Sequence, residues 1–196
     1  MTGGSGRGVI PGERGGILIE GIRYLGKTVD VIVGSDGRIA GLGPGAGKGA
    51  RGDAGTRIDG RGLLLMPGLV NTHTHAAMTL LRGYADDMPL QEWLGTKIWP
   101  LEARLTGGDV YLGTRLACLE MIRSGTVAFN DMYFFMEEAA RAVAEAGLRA
   151  TLCHGFIDLG DPEKREKEIG ATERFVSFVK GLGNPRVQAA VGPHAV

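Results

Sequence analysis

Apolar and polar positions follow two rhythms along this chain, and the change falls near Gly62. Over residues 17–58 the apolar runs are short and broken by turn residues. Val29-Asp30-Val31-Ile32-Val33 is rich in strand formers, Ser35-Asp36-Gly37-Arg38 reads as a turn, and Ile39-Ala40-Gly41-Leu42 is apolar again. Asp-Gly between two apolar runs predicts a hairpin with a type I′ turn, since both residues tolerate positive φ. The segment predicts a small antiparallel sheet, too short to bury both of its faces alone. After Gly62, residues 63–71 form a nearly continuous apolar run, which predicts a strand buried on both faces. Residues 109–124 show helical spacing at Leu112, Leu116 and Leu119, closed by Gly125. Strands are predicted at 126–130, 149–156 and 187–191, and helices at 137–146, ended by Gly147, and 163–180, ended by Gly181. Strand and helix thus alternate at βαβ spacing, which predicts a parallel sheet covered by helices. A (β/α)₈ barrel takes about 250 residues, and the stretch after Gly62 is roughly half of one.

Composition narrows the classes. Lys+Arg and Asp+Glu are equal at 22 each, with no strongly one-signed stretch, so neither nucleic-acid binding nor adhesion to an acidic membrane is expected. No apolar run near the N-terminus reaches the roughly 18 residues a membrane span needs. Cys118 and Cys153 are the only cysteines, each inside a predicted element, and read as buried, reduced thiols of a cytoplasmic protein. Residues 1–16 are Gly-rich and lack the apolar core of a signal peptide, so a disordered tail is expected there. Many of the 34 glycines fall in that tail and in the stretch 41–62, marking loops between short strands.

The candidate chemistry lies in Met66-Pro67-Gly68-Leu69-Val70-Asn71-Thr72-His73-Thr74-His75. Residues i and i+2 of a strand point the same way, so His73 and His75 emerge together at the C-terminal end of the first parallel strand. That end is where βα folds build their sites, and two imidazoles side by side can hold one metal at about 2.0–2.1 Å each.

Here the residues resemble a family. The segment just quoted, continuing as Ala76-Ala77-Met78-Thr79-Leu80-Leu81-Arg82-Gly83, then Glu92-Trp93-Leu94, Pro100-Leu101-Glu102, Asn130-Asp131-Met132-Tyr133 and Gly192-Pro193-His194-Ala195, is similar to the amidohydrolase superfamily. Within it, the set is similar to the 5′-methylthioadenosine/S-adenosylhomocysteine deaminases and 5′-deoxyadenosine deaminases. The resemblance implies an α/β fold: the first half of a metal-dependent (β/α)₈ barrel over residues 63–196, preceded by a small domain of β-sandwich type over 17–62. It implies one divalent metal, usually zinc, held by His73 and His75 with a further histidine and an aspartate. The metal lowers the pKa of a bound water, whose hydroxide attacks C6 of adenine and expels ammonia.

The implied substrate groups are Glu102 on the ribose hydroxyls, His194 on the nucleoside, Trp93 lining the pocket, and Arg165 against the carboxylate of S-adenosylhomocysteine. Position 154, where some relatives carry a second carboxylate-binding arginine, is His154. Imidazole is mostly neutral near pH 7 and lacks the arginine fork, so a leaning to 5′-deoxyadenosine or 5′-methylthioadenosine is expected. The binuclear branch bridges its metals with a lysine of the fourth strand, and Val187-Gln188-Ala189-Ala190-Val191 has none. In the family pattern the proton-shuttling glutamate and the remaining metal ligands fall beyond Val196. The 196 residues are therefore expected to be inactive alone, and the parent enzyme to be a homo-oligomer acting on a small-molecule nucleoside. The alternatives left open are an s-triazine chlorohydrolase, a guanine or cytosine deaminase, and a non-catalytic half-barrel.

Overall fold

The structure is a computed structural model that describes residues 16–49 and 55–195. The tail expected to be disordered lies outside the described residues except for Gly16. The chain divides into two compact units, Met1–Pro67 and Gly68–Val196, each treated by itself below.

In the first unit, β1 (Ile17–Tyr24), β2 (Lys27–Val33), β3 (Ile39–Gly43) and β4 (Thr56–Asp59) form one sheet in the order β3-β2-β1-β4. β1 and β2 pair antiparallel, as do β2 and β3, but β4 runs parallel to β1, so the sheet is mixed and not purely antiparallel as expected. Ile22, Val29 and Val31 are its buried centre, with Ile19, Tyr24 and Leu65 packed against them. The β2–β3 hairpin is present with a different turn from the one expected. The Gly37 N–H donates to the Gly34 carbonyl at 2.9 Å, and only Gly37 has positive φ (74°), whereas a type I′ turn needs two such residues. The Asp30 carboxylate accepts from the Gly21 N–H at 3.0 Å and the Gly47 N–H at 3.2 Å, fixing a bulge in β1 to the turn after β3.

The apolar run 63–71 is divided between the two units and is not a single strand. Residues 63–65 follow β1, with the Arg23 N–H donating to the Leu63 carbonyl at 3.0 Å and the Leu65 N–H to the Arg23 carbonyl at 2.8 Å. The second unit begins with β5 (Leu69–Thr74), followed by a 3₁₀ turn (Ala76–Leu81), α1 (Leu90–Trp93), a π turn (Leu94–Ile98), α2 (Trp99–Glu102) and α3 (Gly107–Ser124). Then come β6 (Thr126–Tyr133), α4 (Met136–Ala146), β7 (Arg149–Ile157), α5 (Pro162–Leu182) and β8 (Val187–Ala195). The strands pair in parallel in the order β5-β6-β7-β8. β5 is an edge strand bonded on one side only, which is why its residues are exposed where burial on both faces was expected.

The helices start and stop where local chemistry dictates. Thr106 and Asp109 form a reciprocal capping box at α3, which ends at Gly125 (φ 85°). Asp161 caps α5 by accepting from the Glu163 and Lys164 N–H groups, with Pro162 next to it. The left-handed residue that ends α5 is Gly183, not Gly181, so the helix runs two residues longer than expected. The core lies between these helices and one face of the sheet, where Phe129, Leu152, Val110, Met136, Val143 and Phe175 are buried. Leu112, Leu116 and Leu119, whose spacing announced α3, point away from it and are exposed. α3 turns Val110, Gly113, Thr114, Ala117 and Cys118 inward instead. Among the described residues no helix is long and apolar enough to cross a membrane.

Candidate metal and nucleoside site

The geometry starts from an irregularity in β5. Asn71 registers with Phe129 and Thr74 with Asp131, so three steps along β5 match two along β6. One extra residue is therefore accommodated between them, which re-aims the side chains that follow. Val70 and Thr72 line a hollow of about 330 Å³ with Ala128, Asn130, Thr151 and Gln188, on the face of the sheet away from the helices. Thr74, like its partner Asp131, is turned to the helical side, where its hydroxyl reaches the Asp131 Oδ1 at 2.8 Å. Its neighbours His73 and His75 thus project from the open face, with ring centroids 5.4 Å apart and planes at 81°.

His75 is held more tightly than His73. Its Nδ1 lies 2.7 Å from the Met132 carbonyl, an acceptor only, so Nδ1 carries a hydrogen and in the neutral ring Nε2 keeps its lone pair. That is the tautomer a metal-binding histidine needs. Asp131 is buried between the strands. Burial pushes its carboxyl above the usual range, opposed by the Ala76 N–H and the Thr74 hydroxyl. Its Oδ2 is buried with no hydrogen-bond partner among the described residues. Two imidazoles side by side, one with its tautomer fixed, suit a divalent cation. Among the described residues no group of three or more His, Cys, Asp and Glu is assembled around one point.

Tyr133 connects this pair to Glu102. Its ring centroid is 6.3 Å from that of His75, and its hydroxyl donates to Glu102 Oε1 at 2.7 Å. Burial first, and the bond to Glu102 next, push the Tyr133 phenol above its ordinary value. Neither Tyr133 nor Asp131 received a role from the sequence, although both stand in the Asn130–Tyr133 motif at the end of a predicted strand.

The other expected site residues are distributed as follows. Trp93 is half-buried and lines a cavity of about 400 Å³ with Met78, Tyr84, Asp86, Asp87 and Met88. His194 is exposed near the end of β8, on the opposite flank of the sheet from β5, roughly 14 Å away over three strand spacings. His154 registers with Tyr133 and shares the helix-covered face with Ala150 and Leu152, and its Nε2 lies 2.6 Å from Glu168 Oε2 of α5. Arg165 donates through Nε to Asp158 Oδ2 at 2.5 Å. The structure therefore brings together His73, His75, Tyr133 and Glu102. It leaves His154 hydrogen-bonded to Glu168 of α5 and Arg165 paired with Asp158. Cys118 and Cys153 are buried, free thiols, and burial pushes Cys118 up to about 11.

The model of the amidohydrolase family matches residues 64–196 of the chain. A 5′-deoxyadenosine deaminase of Methanoregula boonei is 61% identical over 184 residues, covering 94% of this chain and 42% of that protein. The corresponding protein of Methanospirillum hungatei is 58% identical over 179 residues, covering 91% and 40%. The chain thus spans about two fifths of the length of these curated relatives. Among solved structures, an adenosine deaminase from Xanthomonas campestris with bound zinc superposes with a TM-score of 0.76 at 31% identity, over 94% of this chain and 44% of that one. An atrazine chlorohydrolase from Arthrobacter aurescens complexed with zinc gives 0.69 at 20% identity over 92% and 47%, a likeness of fold alone.

Proposed function

The chain belongs to the amidohydrolase family, and from that premise we propose that it serves the hydrolytic deamination of adenosine-type nucleosides, 5′-deoxyadenosine foremost. The observation that carries this reading is the 61% identity to a 5′-deoxyadenosine deaminase over nearly the whole chain. In the reaction the oxygen of water bonds to C6 of the adenine ring and the C6–N bond breaks. Ammonia leaves, and the inosine analogue remains.

His73 and His75 are read as ligands of one divalent metal, zinc by analogy with the bound zinc of the Xanthomonas enzyme. When bound, such a cation supplies Lewis acidity and a water acidic enough to act near neutral pH. His75 contributes Nε2, because its Nδ1–H is engaged by the Met132 carbonyl. Glu102 offers the two acceptor oxygens that vicinal ribose hydroxyls require, and Tyr133 holds one of them in place. Trp93 supplies an apolar wall, and His194 reaches the nucleoside from the other flank of the sheet. The four parallel strands and their helices are read as consecutive units of a (β/α)₈ barrel over 63–196, with 17–62 part of a β-sandwich-type domain. On this reading the further ligands and the acid/base glutamate lie in the part of the relatives that the chain does not match.

His154 bears on the 5′ substituent. Beside Glu168 it offers neither the guanidinium fork nor the unopposed positive charge that an anionic 5′ group needs. Uncharged 5′ groups are therefore the preferred substrates, 5′-deoxyadenosine and 5′-methylthioadenosine ahead of S-adenosylhomocysteine.

The test is ammonia release from each of these three nucleosides by the full-length protein, with metal content measured in parallel and the 196-residue chain as a second sample. The full-length protein is expected to turn over the uncharged nucleosides with the higher kcat/KM, and the 196-residue chain to be inactive. His73→Ala and His75→Ala are each expected to lower metal affinity by more than the roughly 10–100-fold typical of outer-shell partners. Full-length protein that releases no ammonia from any of the three would overturn the assignment.

A further inference from the structure

Asp131 carries the further inference. Its side chain is almost fully buried, at 1% exposure, on the strand next to the histidine pair. One oxygen, Oδ1, lies 2.8 Å from the Thr74 hydroxyl and 2.8 Å from the Ala76 N–H, the residues on either side of His75. The Thr74 hydroxyl, whose single hydrogen the two acceptors share, also lies 2.8 Å from the Asn130 carbonyl. The Met132 carbonyl takes His75 Nδ1–H. Three consecutive residues of β6 therefore grip Thr74, the last residue of β5, and the two residues that follow it.

The grip solves a local problem. Beyond Thr74 the chain leaves the sheet and enters a 3₁₀ turn whose N-terminal residue, His75, provides no side-chain cap. Without a partner the Ala76 N–H would be a buried, unpaired donor, which costs about 1–3 kcal/mol. A carboxylate from the neighbouring strand satisfies it and the Thr74 hydroxyl through a single oxygen. Both peptide flanks of His75 are then fixed relative to Met132, the residue that sets the imidazole tautomer. The cost is a buried carboxyl group whose Oδ2 has no partner among the described residues.

Building on the reading of His73 and His75 as metal ligands, we propose that Asp131 is a positioning residue: as an acceptor for Thr74 and Ala76, its Oδ1 fixes His75 with Nε2 bare and aimed at the cation. Asp131 touches no substrate or metal in this role and acts through His75.

The experiment uses the full-length protein, stripped of metal and titrated with Zn²⁺ against a competing chelator, alongside ¹⁵N NMR of the His75 ring in the metal-free state. Asp131→Asn keeps an acceptor oxygen at the same position, whereas Asp131→Ala removes it, and Thr74→Val removes one of the two donors. Expected are a Zn²⁺ Kd within about threefold of wild type for Asp131→Asn and weaker by about 10–100-fold for Asp131→Ala, with Thr74→Val between them. The His75 ring should be Nδ1-protonated in the wild type and in Asp131→Asn, and a mixture of tautomers in Asp131→Ala. If Asp131→Ala does not fold, Asp131→Asn and Thr74→Val still decide the matter. Zn²⁺ affinity and tautomer unchanged in Thr74→Val, or lost equally in Asp131→Asn and Asp131→Ala, would refute the role of Oδ1. Wild-type protein that binds no Zn²⁺, or binds it equally well after His75→Ala, would instead overturn the metal-ligand reading itself.

Discussion

Asp158 is a residue whose ionisation is tied to the fold. Its carboxylate accepts from Arg165 Nε and from the Gly160 N–H, and these bonds, Arg165 first, hold it below the usual carboxylate range. A carboxyl depressed on folding adds stability that is fully present above its unfolded value, about 3.9, and is lost as pH falls through the depressed folded value. The melting temperature of Asp158→Asn should therefore lie below wild type at about pH 6, and the gap should close towards about pH 3. Thermal melts over that range check it. Glu102 yields a second expectation. If it grips the ribose, Glu102→Gln should raise KM for the nucleoside by about 10–100-fold. It should raise KM far less for the 2′,3′-dideoxy analogue, which steady-state kinetics would resolve. The two histidines were legible in the sequence because alternation along one apolar strand suffices to juxtapose them. Asp131 and Tyr133 were not, since their partners lie 57 and 31 residues away and only the register between elements reveals them. Glu102 owed its expected role to family likeness alone. The structure half-buries Glu102 against Tyr133.

Among the elements, α3 separates what periodicity reveals from what it does not. The i, i+4, i+7 leucines marked a helix correctly, yet Leu112 and Leu119 are 61% and 54% exposed. The buried face carries small residues because the 3₁₀ turn after β5 presses close to the helix axis. A Cβ on Gly113 would stand 2.5 Å from the Ala77 carbonyl oxygen, far inside contact distance. Gly113→Ala should thus destabilise by about 1–3 kcal/mol through overpacking, although alanine is the better helix former. Leu112→Ala and Leu119→Ala should each cost no more than about 0.5 kcal/mol, since surface changes rarely cost more. Met136→Ala, in the core of α4, should cost about 2–5 kcal/mol. Denaturant titration of the four variants would rank them, and a leucine change as costly as Met136→Ala would contradict the exposed face. The C-terminus of α5 was misjudged for a related reason. Gly181 and Gly183 are both plausible stops in sequence, and the left-handed backbone forms only at the second.

At the scale of the whole molecule, the α/β class with a parallel sheet followed from strand–helix alternation, because βα units have few other ways to bury their apolar faces. The parallel β1–β4 pairing was not visible, since β4 is four residues long and its apolar pattern specifies no partner. Charge balance has its own consequence. With 22 basic and 22 acidic side chains and an isoelectric point near 6.9, the chain has little net repulsion at neutral pH. Solubility of the 196-residue chain should pass through a minimum near that pH and rise on either side, as precipitation assays would show.

The extra residue in β5 also makes strand length a constraint separate from strand composition. Deleting one residue between Asn71 and Thr74 would let β5 and β6 pair in regular register, a change the sheet could absorb. Thr74 would still oppose Asp131 and the side chains beyond it would keep their sides, so the residue removed decides the outcome: without Thr72 both imidazoles remain, whereas without His73 the pair is gone. Deletion of Thr72 should consequently be tolerated by the fold and keep the histidine pair, which makes the spacing of β5 before His73 a looser constraint than the single residue between the two histidines.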